Sequence, residues 1–228
     1  MLNKLIALFL CVLILLSLCA CKSESTQAEQ TQAAQIGSSA SNNSSNKPTS
    51  SESNTSSSLK QWQFAYLDYA TIKNSSYVSF ALVYIDNDDI PELYMSGRDE
   101  ATGDAVCSIR NGTIIEQQLG RIGGGSYIEK SGKFANQNGN MGVLYTDVYT
   151  LKNGSFTKTL SASKCEKIET LENGDLEIAY DYCIGDKLVN TPDYDKAISD
   201  AFDFNKAKRL NENAVEYNEF KELVENYK

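Results

Sequence analysis

Histidine is absent from all 228 residues. That excludes catalytic triads with an imidazole base and zinc held by histidine. Positive charge is scarce, since 21 Lys and Arg stand against 30 Asp and Glu for a net charge of −9. A chain so acidic is repelled by phosphate backbones and by an anionic envelope, which argues against nucleic acid as a partner. Long apolar runs are scarce too. The one near the start, residues 5–18, is too short to span a bilayer comfortably. Of six cysteines, Cys11, Cys19 and Cys21 belong to that opening segment, leaving Cys107, Cys165 and Cys183. An odd number permits one disulfide at most, with one thiol left over.

What the chain does contain is first an address. Residues 1–20 combine Lys4, an apolar core and small residues after it, the layout of a secretory signal peptide. Leu18-Cys19-Ala20-Cys21 resembles the lipobox of bacterial lipoproteins, with leucine three residues before the cysteine that is acylated and becomes the new N-terminus. The resemblance implies lipidation at Cys21 and attachment to the outer face of the cell membrane. Two acyl chains make a stable anchor, because each buried methylene contributes about 0.8 kcal/mol. Residues 21–58 are then Ser, Thr, Asn, Gln and Ala with almost no large apolar residue. Such a segment cannot bury enough surface to offset its ordering entropy, so it reads as a disordered tether. Its root-mean-square span is about 33 Å by the flexible-linker relation.

Residues 59–228 read as a single extracytoplasmic domain of the α+β class: an antiparallel β-meander of short hairpins with one N-terminal helix and two C-terminal helices. Leu59, Trp62, Tyr66 and Tyr69 recur at helical spacing and put an aromatic stripe on one face. The stripe serves either to dock on the core or as a platform for glycan. Asn-Gly pairs at 111–112, 153–154 and 173–174 each sit between apolar runs and predict tight type I′ hairpins. Further turns are expected at Ser131-Gly132 and Asn138-Gly139. A two-residue turn at Asn173-Gly174 would set Cys165 opposite Tyr182, so a Cys165–Cys183 bridge needs a bulge or a longer turn; otherwise the thiols are free. One C-terminal helix is expected to start at Thr191-Pro192, with Thr191 as N-cap, and the last with Asn213 and Glu216 as a capping box.

The densest cluster of potential ligands is Tyr84-Ile85-Asp86-Asn87-Asp88-Asp89-Ile90-Pro91-Glu92-Leu93, an acidic turn between two apolar runs. It resembles the Asp-x-Asp-x-Asp-Gly-x-x-Asp/Glu-Leu calcium loop of FG-GAP-type repeats. Together with the aromatic helix before it, it is similar to a group of lipoproteins from Gram-positive anaerobes that carry one such loop. The resemblance implies a calcium site at Asp86, Asp88 and Glu92, completed by Asp89, a backbone carbonyl near Ile90 or waters. Tyr84 stands where the first aspartate of the pattern belongs, and Asp89 where its turn glycine belongs. The alternative is a solvated acidic turn. A single loop of this kind also argues against a propeller, whose ring of blades would repeat it.

Other patterns lack their companions. Ser161-Ala162-Ser163-Lys164 has a Ser-x-x-Lys spacing without the partner motifs of penicillin-recognising enzymes. Gly123-Gly124-Gly125 precedes a strand pattern and not the helix a phosphate cradle opens. Asp99, Glu100, Asp104 and Glu116 are near enough in sequence to suggest a glycosidase pair, though carboxylates are common. The expectation is therefore a non-enzymatic surface lipoprotein that binds a protein or glycan partner, with calcium as its one cofactor. The alternatives are a calcium-dependent carbohydrate-binding module and a carboxylate-dependent hydrolase.

Overall fold

Strand β2, Glu92–Gly97, is buried at all six positions, and a strand with no solvent face needs a cover on each side. The computed structural model, which describes residues 59–228, supplies both covers. The signal segment, Cys21 and the tether lie outside the described residues.

β1 (Tyr77–Val83), β2, β3 (Asp104–Arg110) and β4 (Thr113–Leu119) form one antiparallel sheet in chain order. Helices α1 (Gln61–Lys73) and α3 (Tyr217–Glu225) cover one face of it. Trp62, Tyr66, Phe220 and Val224 pack there against Phe80, Leu93, Met95 and Cys107. The opposite face, with Ala81, Tyr94, Val106 and Leu119, meets Tyr127, Phe134, Tyr149 and Leu151 of a second sheet.

That second sheet has seven strands. β5 (Gly124–Ile128), β6 (Lys133–Asn140), β7 (Val143–Lys152), β8 (Ser155–Thr170), β9 (Leu176–Ile184) and β10 (Lys187–Val189) follow one another, and β11 (Lys208–Arg209) returns beside β5. Its far face packs Ala135 and Val148 against Phe202, at the end of helix α2 (Thr191–Ala201). The meander is therefore two stacked sheets with helices outside them, a mostly antiparallel α+β architecture. Among the described residues, 59–228, these clusters form a hydrophobic core of their own, the condition for folding independently.

Local signals hold where the turn chemistry is decisive. Asn111-Gly112 and Asn153-Gly154 take positive φ at both positions and close β3–β4 and β7–β8. At Asn173-Gly174 only the glycine has positive φ, and Thr170 pairs with Leu176, leaving a five-residue connection. That connection changes the register: Cys165 faces Asp181 and Cys183 faces Ser163, two pairs apart, and all three cysteines among the described residues are free. Asn138-Gly139 lies inside β6, and the turn falls at Met141-Gly142 instead, where eight cross-strand pairs with β7 outweigh the Asn-Gly preference.

Both predicted caps shift. Asn190, not Thr191, caps α2 by accepting the Asp193 N–H at 2.9 Å. α3 starts after Glu216 with no side-chain cap, because Val215 is held in a bridge to Phe80. The aromatic stripe of α1 is core, with Trp62 and Tyr66 buried, so it is not a glycan platform. Gln63 ties that helix down, its Nε2 donating to the Val224 carbonyl at 2.6 Å.

Phe80 is fully buried against Phe220, with ring centroids 5.4 Å apart, so Phe80→Ala is expected to lower unfolding free energy by about 3–5 kcal/mol. Phe64→Ala, on the exposed side of α1, is expected to stay within about 0.5 kcal/mol. Chemical denaturation of residues 59–228 reads both.

Candidate acidic loop site

The acidic loop joins β1 to the fully buried β2. β1 ends at Val83, paired with Glu92 at the start of β2, so residues 84–91 must turn the chain within one end of the sheet. Side-chain acceptors shape the turn: Asp86 Oδ1 accepts the Asp88 N–H at 3.1 Å, and Asp88 Oδ1 accepts the Ile90 N–H at 2.8 Å. Glu92 closes it from below. Its Oε2 accepts the Ile85 N–H at 2.9 Å, and the residue is 2% exposed.

One carboxylate oxygen from each of Asp86, Asp88 and Glu92 comes within 4.8 Å of the others. This triad could hold a metal ion. Asp89 is exposed and lies outside the group, so it is not brought in as the fourth ligand. Tyr84, in place of a carboxylate, is structural. Its carbonyl accepts the Lys130 N–H at 2.9 Å and its ring lies 5.5 Å from the Lys130 ammonium.

Electrostatics make the triad sensitive to charge. Loss of hydration on burial pushes the Glu92 carboxyl up to about 8; the Ile85 N–H opposes this, and Asp86 and Asp88 add to the rise. Burial likewise raises Asp86 above the usual carboxylate range. A buried carboxyl beside two others keeps its proton unless a cation replaces it. Next to the loop is a cleft of about 530 Å³ lined by Asp86, Asn87 and Asp88 and by Lys130, Lys133 and Lys152, the Lys133 ammonium donating to the Ala201 carbonyl at 2.9 Å.

The other sequence candidates are not assembled. Asp104 and Glu116 lie on opposite faces of the four-stranded sheet, since Asp104 pairs with Leu119 and Glu116 with Cys107. Asp104 accepts from the Tyr94 hydroxyl at 2.6 Å and the Gly97 N–H at 3.1 Å, while Glu116 pairs with Lys73 at 3.0 Å. Asp99 is spent on the Thr102 N–H at 2.8 Å, and Glu100 is exposed. Ser161 and Lys164 are in β8, and Gly124 opens β5. Glu92 as a buried group was not legible from residue type. Its one signal was position, a charge at the head of an otherwise apolar run.

Because the folded Glu92 carboxyl sits at about 8 and its ordinary value is 4.5, the native state holds a proton that the unfolded chain has released between these values. Its contribution is full below about pH 4.5 and is lost as pH rises through about 8. In metal-free buffer the melting temperature is therefore expected to fall between pH 4.5 and about pH 8, and Glu92→Gln to flatten that fall. Compared with known proteins, the chain matches no protein family, no curated protein and no solved structure.

Proposed function

We propose that residues 59–228 are the non-enzymatic binding domain of a lipoprotein anchored at Cys21 on the outer face of the cell membrane, with a calcium ion at Asp86, Asp88 and Glu92. The observation that carries the cation reading is the convergence of these carboxylates within 4.8 Å, one of them buried. Calcium suits hard oxygen donors in a flexible loop, taking six to eight oxygens of which three carboxylates are a part. Waters and a loop carbonyl complete the shell. Magnesium, which demands a tighter octahedron and gives up water reluctantly, is the poorer fit.

The ion's work in this reading is structural. It displaces the proton from Glu92 and neutralises repulsion among the three groups, fixing the β1–β2 loop as one wall of the cleft that Lys130, Lys133 and Lys152 complete. A protein or glycan partner would meet that wall. Binding of the ion expels a proton, so affinity rises with pH.

Two experiments test the two halves of the proposal. A thermal melt of residues 59–228 with millimolar calcium is expected to rise by several degrees, by less with magnesium, and not at all in Asp88→Ala. An unchanged melt contradicts the cation site. For the anchor, the full chain produced in a lipoprotein-processing bacterium is expected to incorporate labelled palmitate and to sediment with membranes, and Cys21→Ser to do neither.

A further inference from the structure

The β8–β9 hairpin outruns its neighbours. β7 accompanies β8 only as far as Val143 opposite Cys165, and β10 accompanies β9 only from Tyr182 to Ile184. Beyond those points residues 166–181 project as a two-stranded arm, with no third strand beside it among the described residues. Its register opposes Glu166 to Tyr180, Ile168 to Ile178 and Thr170 to Leu176, which places these six on one face. Lys167, Glu169, Glu177 and Asp181 take the other, where Lys167 bridges Glu169 at 2.9 Å and Asp181 at 2.7 Å. One face is thus ion-paired, while Ile168, Leu176 and Ile178 on the other are 73%, 70% and 61% exposed. A lone two-stranded ribbon is marginal in water.

Towards the base the same face is covered. Tyr194 of α2 lies over Tyr182, with ring centroids 4.9 Å apart. Beside them is a cleft of about 370 Å³ whose lining includes Ile122, Leu144, Tyr194, Ile198 and Lys164, the last with its ammonium 3.7 Å from the centre of the Tyr180 ring. The tip of the arm offers the complement of that cleft, carrying the exposed Leu171 next to Glu172 and Asp175. Lys164 stands four residues from Ile168 toward the base, and Glu172 four residues from it toward the tip.

We propose that a second copy of this chain covers the face, as a symmetric dimer in which each arm's tip enters the cleft of the other. A twofold axis through the Ile168–Ile178 pair, perpendicular to the strands, lays the arms face to face and antiparallel. It brings each isoleucine onto its copy, Tyr180 onto Leu176 and Glu172 onto Lys164. A twofold contact must be self-complementary, and the arm meets that condition in shape and in charge. A standard interface covers about 800 Å² per partner. An arm of about 17 Å by 10 Å with a cleft falls short of that, which sets the dimer in the weak, micromolar class.

Sedimentation equilibrium of residues 59–228 from about 1 to 300 µM tests this. The mass is expected to climb toward twice the monomer mass, and Ile178→Lys to remain monomeric with an unchanged melt. Leu176→Gln, at an exposed turn-side position, replaces it should that variant not fold. Lys164→Glu and Glu172→Lys should each weaken the dimer about tenfold or more, and the double variant restore it. The monomer mass at every concentration overturns the proposal and leaves the face to a different protein. So does a dimer indifferent to Ile178→Lys and Leu176→Gln, or a double variant that stays monomeric.

Discussion

The hydrogen bond from the Ile85 N–H to the buried Glu92 carboxyl holds the junction on which both sheets depend. Ile85 follows the last residues of β1, and its side chain is fully buried in the cluster between the sheets. Its carbonyl accepts the Gly132 N–H at 2.8 Å, and the Tyr84 carbonyl accepts the Lys130 N–H. Two successive residues therefore fasten the four-stranded sheet to the β5–β6 turn of the seven-stranded one. With the Ile85 N–H left unpaired in this apolar setting, the loop would lose its anchor and the fastening its geometry.

The same bond explains why the loop is acidic. Asp86 and Asp88 use side-chain oxygens to turn the backbone, which brings them to Glu92, and burial raises the cost of ionising Asp86 and Glu92. A cation held by the triad, as proposed, would compete with the Glu92 proton. With Glu92 protonated, the Ile85 hydrogen bond closes the junction; the proposed cation would take that proton's place.

Much of the fold was legible because its signals are local. Asn111-Gly112 and Asn153-Gly154 close the hairpins they predict, and the Trp62–Tyr66 stripe marks the docking face of α1. What the pattern hides is tertiary. The division into two sheets shows in β2 and β3 being buried on both faces, Glu92, Ser96, Asp104 and Ser108 included, and no single hairpin records it. Glycine at 139 looked like a turn and is a strand residue, since pairing along the whole of β6 outweighs it. The Cys165–Cys183 register hinged on three extra residues in the connection at 171–175. Of the four predicted ligands, Asp86, Asp88 and Glu92 converge, while Asp89 is exposed as the middle residue of the turn that Asp88 closes on the Ile90 N–H.

The most direct test is the titration of the Glu92 side chain itself, followed by the carbon-13 shift of its carboxyl group in residues 59–228. Without divalent cations the midpoint is expected near 8, and with saturating calcium below the ordinary 4.5. A midpoint near 4.5 in both conditions would contradict the account, since the carboxyl would then be neither desolvated by the fold nor coupled to a cation.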